Sequence, residues 1–83
     1  MLVHIREVTF VPNSDQIDYD TSKYVTSYKV KSYDTFVKMI QTFKKHRKDI
    51  LIGDSWYTVE DYALSFPNDS EHVPVIYVYV ISY

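Results

Sequence analysis

Only one stretch of this chain carries apolar residues at helical spacing. Phe36, Met39, Ile40 and Phe43 fall at i, i+3, i+4 and i+7, which puts them on one face of a helix over roughly Thr35 to Arg47. Asp34 stands where a side-chain oxygen caps the first turn. Lys44, Lys45, Arg47 and Lys48 crowd the last turn, where cations offset the helix dipole. Elsewhere the apolar residues alternate or run together, as they do in strands. A lone amphipathic helix buries its stripe against one face of a sheet.

The strands follow from alternation and turn chemistry. Leu2 to Val11 reads as a strand with Val3 and Ile5 on one face and Val8 and Phe10 on the other. The change of phase near Arg6-Glu7 predicts a β-bulge. Pro12 ends this strand, and a polar loop runs from Asn13 to Ser22. Lys23 to Lys31 alternates next, with Tyr24, Thr26, Tyr28 and Val30 on one side and Val25, Ser27, Lys29 and Lys31 on the other. These two strands make a hairpin with a long loop. After the helix, Ile50-Leu51-Ile52 is a short strand, and Gly53-Asp54-Ser55 turns tightly into Trp56. The apolar phase slips again at Glu60-Asp61, which is either a second bulge or one turn of helix. A loop over Pro67 to Glu71 leads into Val73 to Ser82, a strand apolar on both faces and therefore central in its sheet. The expected fold is a two-layer α+β domain of order ββαβββ. An antiparallel sheet of four to five strands carries one helix on one face.

With 83 residues the chain has room for one domain. It has no cysteine, so stability rests on apolar packing, and disulfides, thiolate nucleophiles and Cys-based zinc sites are excluded. Nine Tyr, four Phe and one Trp supply large rigid groups for a thin core. The apolar share of 46% and a net charge of −2 argue against disorder. The longest apolar run is too short to span a bilayer, and the N-terminus lacks the features of a signal peptide. The chain therefore reads as soluble and cytoplasmic, in a host cytoplasm if it is phage-encoded, and as a whole gene product.

The last strand sorts its two sides by chemistry. Ile76, Val78 and Val80 suit the helix side, against Phe36, Ile40 and Phe43, whereas Val75, Tyr77, Tyr79, Ile81 and Tyr83 take the other. A tyrosine ring buries while its hydroxyl reaches water, so the tyrosine side is the better candidate for the uncovered face; the competing reading is that these tyrosines fill space under loops and the long hairpin. Tyr24 and Tyr28 join it from the second strand. Aromatic residues concentrate at binding hot spots, which makes Tyr24, Tyr28, Trp56, Tyr77, Tyr79 and Tyr83 the candidate protein-binding set. Asp15, Asp18 and Asp20 add an acidic loop suited to a basic partner.

Catalytic and cofactor signals are weak. His4, His46 and His72 lack metal-ligand spacing. The aspartate loop lacks the glycine and distal glutamate of a calcium loop. Glu60 and Asp61, adjacent on a strand, point to opposite faces unless a bulge turns them together. No phosphate loop or serine elbow is visible, so the expectation is a non-enzyme with no metal or cofactor. The rival signal is basic: Lys38, Gln41, Lys45 and Lys48 line one outer stripe of the helix, a weak and salt-dependent phosphate contact. Nucleic acid is opposed by the acidic balance of the chain.

The functional expectation is a small acidic interaction module. Its expected role is that of a phage or mobile-element inhibitor, blocking a larger host protein with a basic groove, such as a nucleic-acid-handling nuclease. Asp54, Glu60, Asp61, Asp69 and Glu71 would join the loop aspartates in imitating phosphates. A second copy of the chain is the other occupant such a face would take, and weak nucleic-acid binding through the helix stripe is the alternative function.

Overall fold

Ser32 and the apolar stripe behind it set the helix. The computed structural model describes residues 1–46, 49–65 and 74–83, apart from the side chains at 43, 44 and 46. Along them run β1 (Leu2–Phe10), β2 (Ile17–Lys29), α1 (Tyr33–His46), β3 (Asp49–Ile52), β4 (Ser55–Ser65) and β5 (Val75–Ser82). The cap differs from the sequence expectation. The Ser32 hydroxyl accepts from the Thr35 backbone N–H at 3.3 Å and donates to the Thr35 hydroxyl at 2.8 Å. Asp34 instead lies inside the first turn, where its charge complements the positive end of the helix dipole. The packing expected of Phe43, the side chains of Lys44, Arg47 and Lys48 in the cation-rich last turn, and the 67–71 loop fall outside the described residues, whereas Lys45 is exposed.

The strands form one five-stranded sheet in the order β2-β1-β5-β4-β3. Three of its four pairings are antiparallel, and β1 runs parallel to β5. Alternation tells which residues share a face but not which way a neighbour runs, so this mixed direction is invisible in the pattern. β5 is central, as its two apolar faces require.

The helix lies on the aliphatic side. Val3, Ile5, Tyr57, Val59, Ile76, Val78 and Val80 form one buried cluster with Phe36 and Ile40 of α1. Ile76 and Val80 are fully buried, whereas Tyr77 and Tyr79 of the same strand are half-buried on the opposite side. The Phe36 ring meets Tyr62 edge-on, with centroids 6.3 Å apart.

Bulges mark where the alternation slips. Val59 pairs with Val80 and Asp61 with Tyr79, leaving Glu60 as the extra residue of β4. In β2, Thr26 pairs with Ile5 and Tyr24 with Arg6, so Val25 is extra. Further along, Glu7 pairs with Lys23 but Thr9 with Asp18. Residues 19–22 are therefore looped out opposite the single residue Val8, and β2 begins at Ile17 rather than at Lys23 as the alternation suggests. Two turns close the hairpins. The Ser14 N–H donates to the Val11 carbonyl at 3.0 Å across Pro12-Asn13, with φ 60° at Asn13, the arrangement of a type II turn. Ile52 pairs with Ser55 across Gly53-Asp54, and Gly53 has φ 61°. A positive φ at only the first central residue belongs to a type II′ turn, where glycine costs no steric strain.

Candidate functional site

The sheet face away from α1 holds the aromatic surface. Register decides its members. His4, opposite Ser27 and Tyr77, lies on it, as do Arg6, opposite Tyr24 and Tyr79, and Asp61 and Ala63, opposite Tyr79 and Tyr77. At the other end, Thr58 pairs with Ile81 and Asp49, and Leu51 pairs with Trp56. The Tyr83 backbone N–H donates to the Trp56 carbonyl at 3.2 Å, so Tyr83 extends the register of β5 onto the same face. Tyr24, Trp56, Tyr77, Tyr79 and Tyr83 are thus brought to one side.

Tyr28 is not with them. It pairs with Val3, a fully buried residue of the helix-side cluster, so it belongs to the helix side. The extra residue Val25 reverses the phase of β2 between Tyr24 and Tyr28, and strict alternation wrongly groups the two. Burial pushes the Tyr28 hydroxyl above its ordinary value of 10.0.

The uncovered face divides into three parts. At the first, the His4 ring stacks on Tyr77 with centroids 5.8 Å apart and meets Tyr24 at 6.1 Å. Ser27 Oγ lies 2.5 Å from His4 Nδ1 and 2.9 Å from the Tyr24 hydroxyl. In the middle, the looped-out part of β2 folds across the sheet. Arg6 Nη2 donates to the Ser22 carbonyl at 3.0 Å and its Nε to the Ser22 hydroxyl, and the Thr9 N–H donates to Thr21 Oγ1 at 2.9 Å. Tyr19 then reaches over β1. Its ring meets Tyr79 edge-on at 4.9 Å, and its hydroxyl donates to Asp61 Oδ2 at 2.6 Å. Val8 is buried outside the helix-side cluster. Tyr77 and Tyr79 are therefore partly covered by the chain's own aromatic neighbours.

At the third part, the hairpin tip leaves a cleft of about 740 Å³ between Phe10 and Asp15 on one side and Asp49, Thr58, Glu60 and Tyr83 on the other. The Tyr83 hydroxyl and the Thr58 hydroxyl both donate to Asp49 Oδ1, the latter at 3.3 Å. Among the described residues three carboxylates and no cation line this cleft. Beside it Leu51, Trp56 and Tyr83 are 55%, 52% and 77% exposed. Cross-strand pairing makes them an apolar row across β3, β4 and β5.

The acidic loop does not act as a unit. Asp15 lines the cleft and Asp20 is exposed, but the Asp18 carboxylate accepts from the Asp20 N–H at 3.1 Å, closing a local turn. Glu60 and Asp61 are also separated in role. The bulge residue Glu60 lines the cleft, whereas Asp61 accepts from Tyr19 and from the Tyr62 N–H at 2.8 Å. Among the described residues no group of three or more His, Asp or Glu is placed to hold a metal ion. Lys38, Gln41 and Lys45 are exposed along a shallow strip of α1 that also includes Thr42. This strip belongs to the helix layer, on the far side of the sheet from the aromatic face. Lys48 lies outside the described residues. No described helix is long and apolar enough to cross a membrane.

Alternation in Ile17-Asp18-Tyr19-Asp20-Thr21 is the signal that identifies the start of β2 and with it Tyr19. Phe10 becomes a site residue only through a long-range approach, which no local pattern records, whereas Leu51 and Asp49 are set opposite Trp56 and Thr58 by the local Gly53-Asp54 hairpin. Tyr19 also carries a pH signature. The hydrogen bond to Asp61 is the largest cause holding its hydroxyl above the ordinary 10.0, followed by desolvation and by repulsion between phenolate and carboxylate. A raised folded-state value favours the neutral hydroxyl in the folded protein. The Tyr19–Asp61 contact therefore contributes fully below about pH 10 and is lost as pH rises through the folded-state value. In ultraviolet difference titrations Tyr19 is expected to ionise above the ordinary tyrosine value. Asp61→Asn moves its ionisation back toward the ordinary value, and an unchanged titration would refute the contact.

Searches against protein-family models, curated proteins and solved structures found no match to this chain.

Proposed function

We propose that this protein is a non-enzymatic interaction module that seats a larger protein on its uncovered sheet face. In the form proposed it is a small inhibitor, of the kind phages and mobile elements carry, acting in the cytoplasm by occupying a basic groove of a host protein. A nucleic-acid-handling nuclease is one partner with such a groove. The observation that carries the reading is the row of Leu51, Trp56 and Tyr83, each more than half exposed and aligned across three neighbouring strands. Exposed aromatics set side by side on a rigid sheet lose little conformational entropy on docking and bury a large area. The acidic cleft beside them supports a basic partner. Opposed to nucleic acid is the placement of Lys38 and Lys45, since one strand cannot stack on the aromatic face and reach lysines on the other layer.

Immobilised wild-type protein and Trp56→Ala, incubated with lysate of the cells in which the gene is expressed, test the reading. The wild type is expected to retain a partner through an interface of about 1,200 Å² or more. Trp56→Ala weakens capture at least about 30-fold, as loss of a hot spot does, with its circular dichroism unchanged. Equal capture by the variant overturns the proposal, and so does loss of capture in Lys38→Ala/Lys45→Ala instead.

A further inference from the structure

We infer that the corner built by β3, β4 and the end of β5 takes an extended, arginine-bearing segment of a protein partner. The inference rests on the interaction reading above and names the chemistry of what docks. Leu51 and Trp56 are a directly opposed pair, and Tyr83 continues their row through its backbone bond to Trp56. Among the described residues β3 is the last strand on this side of the sheet, an edge of the kind that can pair with one more strand. Carboxylates flank the row on both sides along the strand direction. Asp54 is exposed in the β3–β4 turn, and Asp49 leads into the cleft lined by Asp15 and Glu60.

This pattern selects among partners by charge and shape. An acidic segment would place like charges together in a half-dry corner. A purely aliphatic segment would fill the row but leave the carboxylates unmatched. A second copy of this chain docked corner to corner would set carboxylates against carboxylates. Arginine fits both features, because its planar guanidinium stacks on an indole face and pairs with a carboxylate in the same pose. An aliphatic neighbour in the segment covers Leu51. Single-stranded nucleic acid would stack on Trp56 but would bring phosphates to Asp49 and Asp54.

Trp56 is the single tryptophan of the chain, so its fluorescence reports this corner alone. The probes are a short blocked peptide of alternating arginine and leucine, the same peptide with glutamate for arginine, and a thymidine oligonucleotide. The arginine peptide is expected to change Trp56 emission saturably, more weakly at ~200 mM than at ~50 mM salt because the contacts are partly exposed. Asp49→Asn/Glu60→Gln lowers its affinity about three- to tenfold, whereas Asp34→Asn, on the helix, leaves it unchanged. The glutamate peptide and the oligonucleotide leave the emission unchanged. Absence of a saturable response to the arginine peptide overturns the inference, as does equal or tighter binding of either anionic probe, or equal weakening by Asp34→Asn. If the arginine peptide fails while Trp56→Ala still abolishes capture of the natural partner, the interaction reading stands and the basic-partner assignment falls. If Trp56→Ala captures normally, the interaction reading itself falls.

Discussion

Phe36→Ala is expected to remove most of the stability of this domain. Phe36 is 1% exposed and is the largest of the fully buried side chains. It fixes α1 to the sheet among Ile76, Val78 and Val80 and meets Tyr62 with its ring edge. Truncating a buried phenylalanine to alanine costs about 3–5 kcal/mol through lost transfer energy and the cavity left behind. A chain of this length has a total stability of roughly 4–12 kcal/mol. With a urea slope of about 1–1.5 kcal/mol/M, the unfolding midpoint falls by about 2–5 M. Phe36→Leu keeps most of the volume and is expected to lose much less. The loss is large because α1 supplies only two fully buried side chains among those described, Phe36 and Ile40, and Tyr33, Val37 and Met39 pack against the cluster only in part. A midpoint shift below about 0.5 M in Phe36→Ala would mean that α1 does not cover this face.

The sidedness that gives Phe36 this weight is legible in the sequence, because two periods agree. The stripe of Phe36 and Ile40 repeats at helical spacing, and the aliphatic residues of β5 repeat at strand spacing, so each face has one complement. What is not legible follows from bulges and from pairing at long range. Val25 has nothing in its type to distinguish it from an ordinary alternating residue, yet as the extra residue of β2 it sends Tyr28 to the helix side and leaves Tyr24 on the open one. The slip at Glu60-Asp61 is visible because apolar residues flank it in opposite phase. Whether it ended as a bulge or a helical turn depended on β5 lying alongside. Ser32 and Asp34 are both capping types two residues apart, and the Thr35 N–H selects Ser32. Within the candidate site the aromatic membership was readable from Tyr77, Tyr79 and Trp56. Cover by the long hairpin was one of two readings of that face, but the residue that provides it over Tyr79 was not readable, because Tyr19 is 42 residues from its partner Asp61. The cleft depends on the same crossing, which brings Phe10 and Asp15 over Thr58 and Glu60.

A carboxylate placed on either side of the sheet separates the two faces more sharply than any deletion. Val78→Asp is expected to prevent folding, whereas Ala63→Asp is expected to fold. Val78 is 1% exposed, between Ile5 on β1 and Tyr62 on β4, and among the described residues the core holds no buried polar or charged side chain. A carboxylate there finds no cation. The variant loses the burial of valine, worth about 1.5–3 kcal/mol, and adds several kcal/mol for desolvating an unpaired charge. Together these approach or exceed the roughly 4–12 kcal/mol available. Ala63 pairs with Tyr77 on the uncovered face and is exposed, so a carboxylate there keeps its water and costs about 1 kcal/mol or less, mainly through poorer strand propensity. Amide proton dispersion in NMR spectra of the two variants reads the result directly. A dispersed spectrum for Val78→Asp with a collapsed one for Ala63→Asp would put the helix on the tyrosine side. It would also take away the surface on which the proposed partner docks, since Leu51, Trp56 and Tyr83 share the face of Ala63.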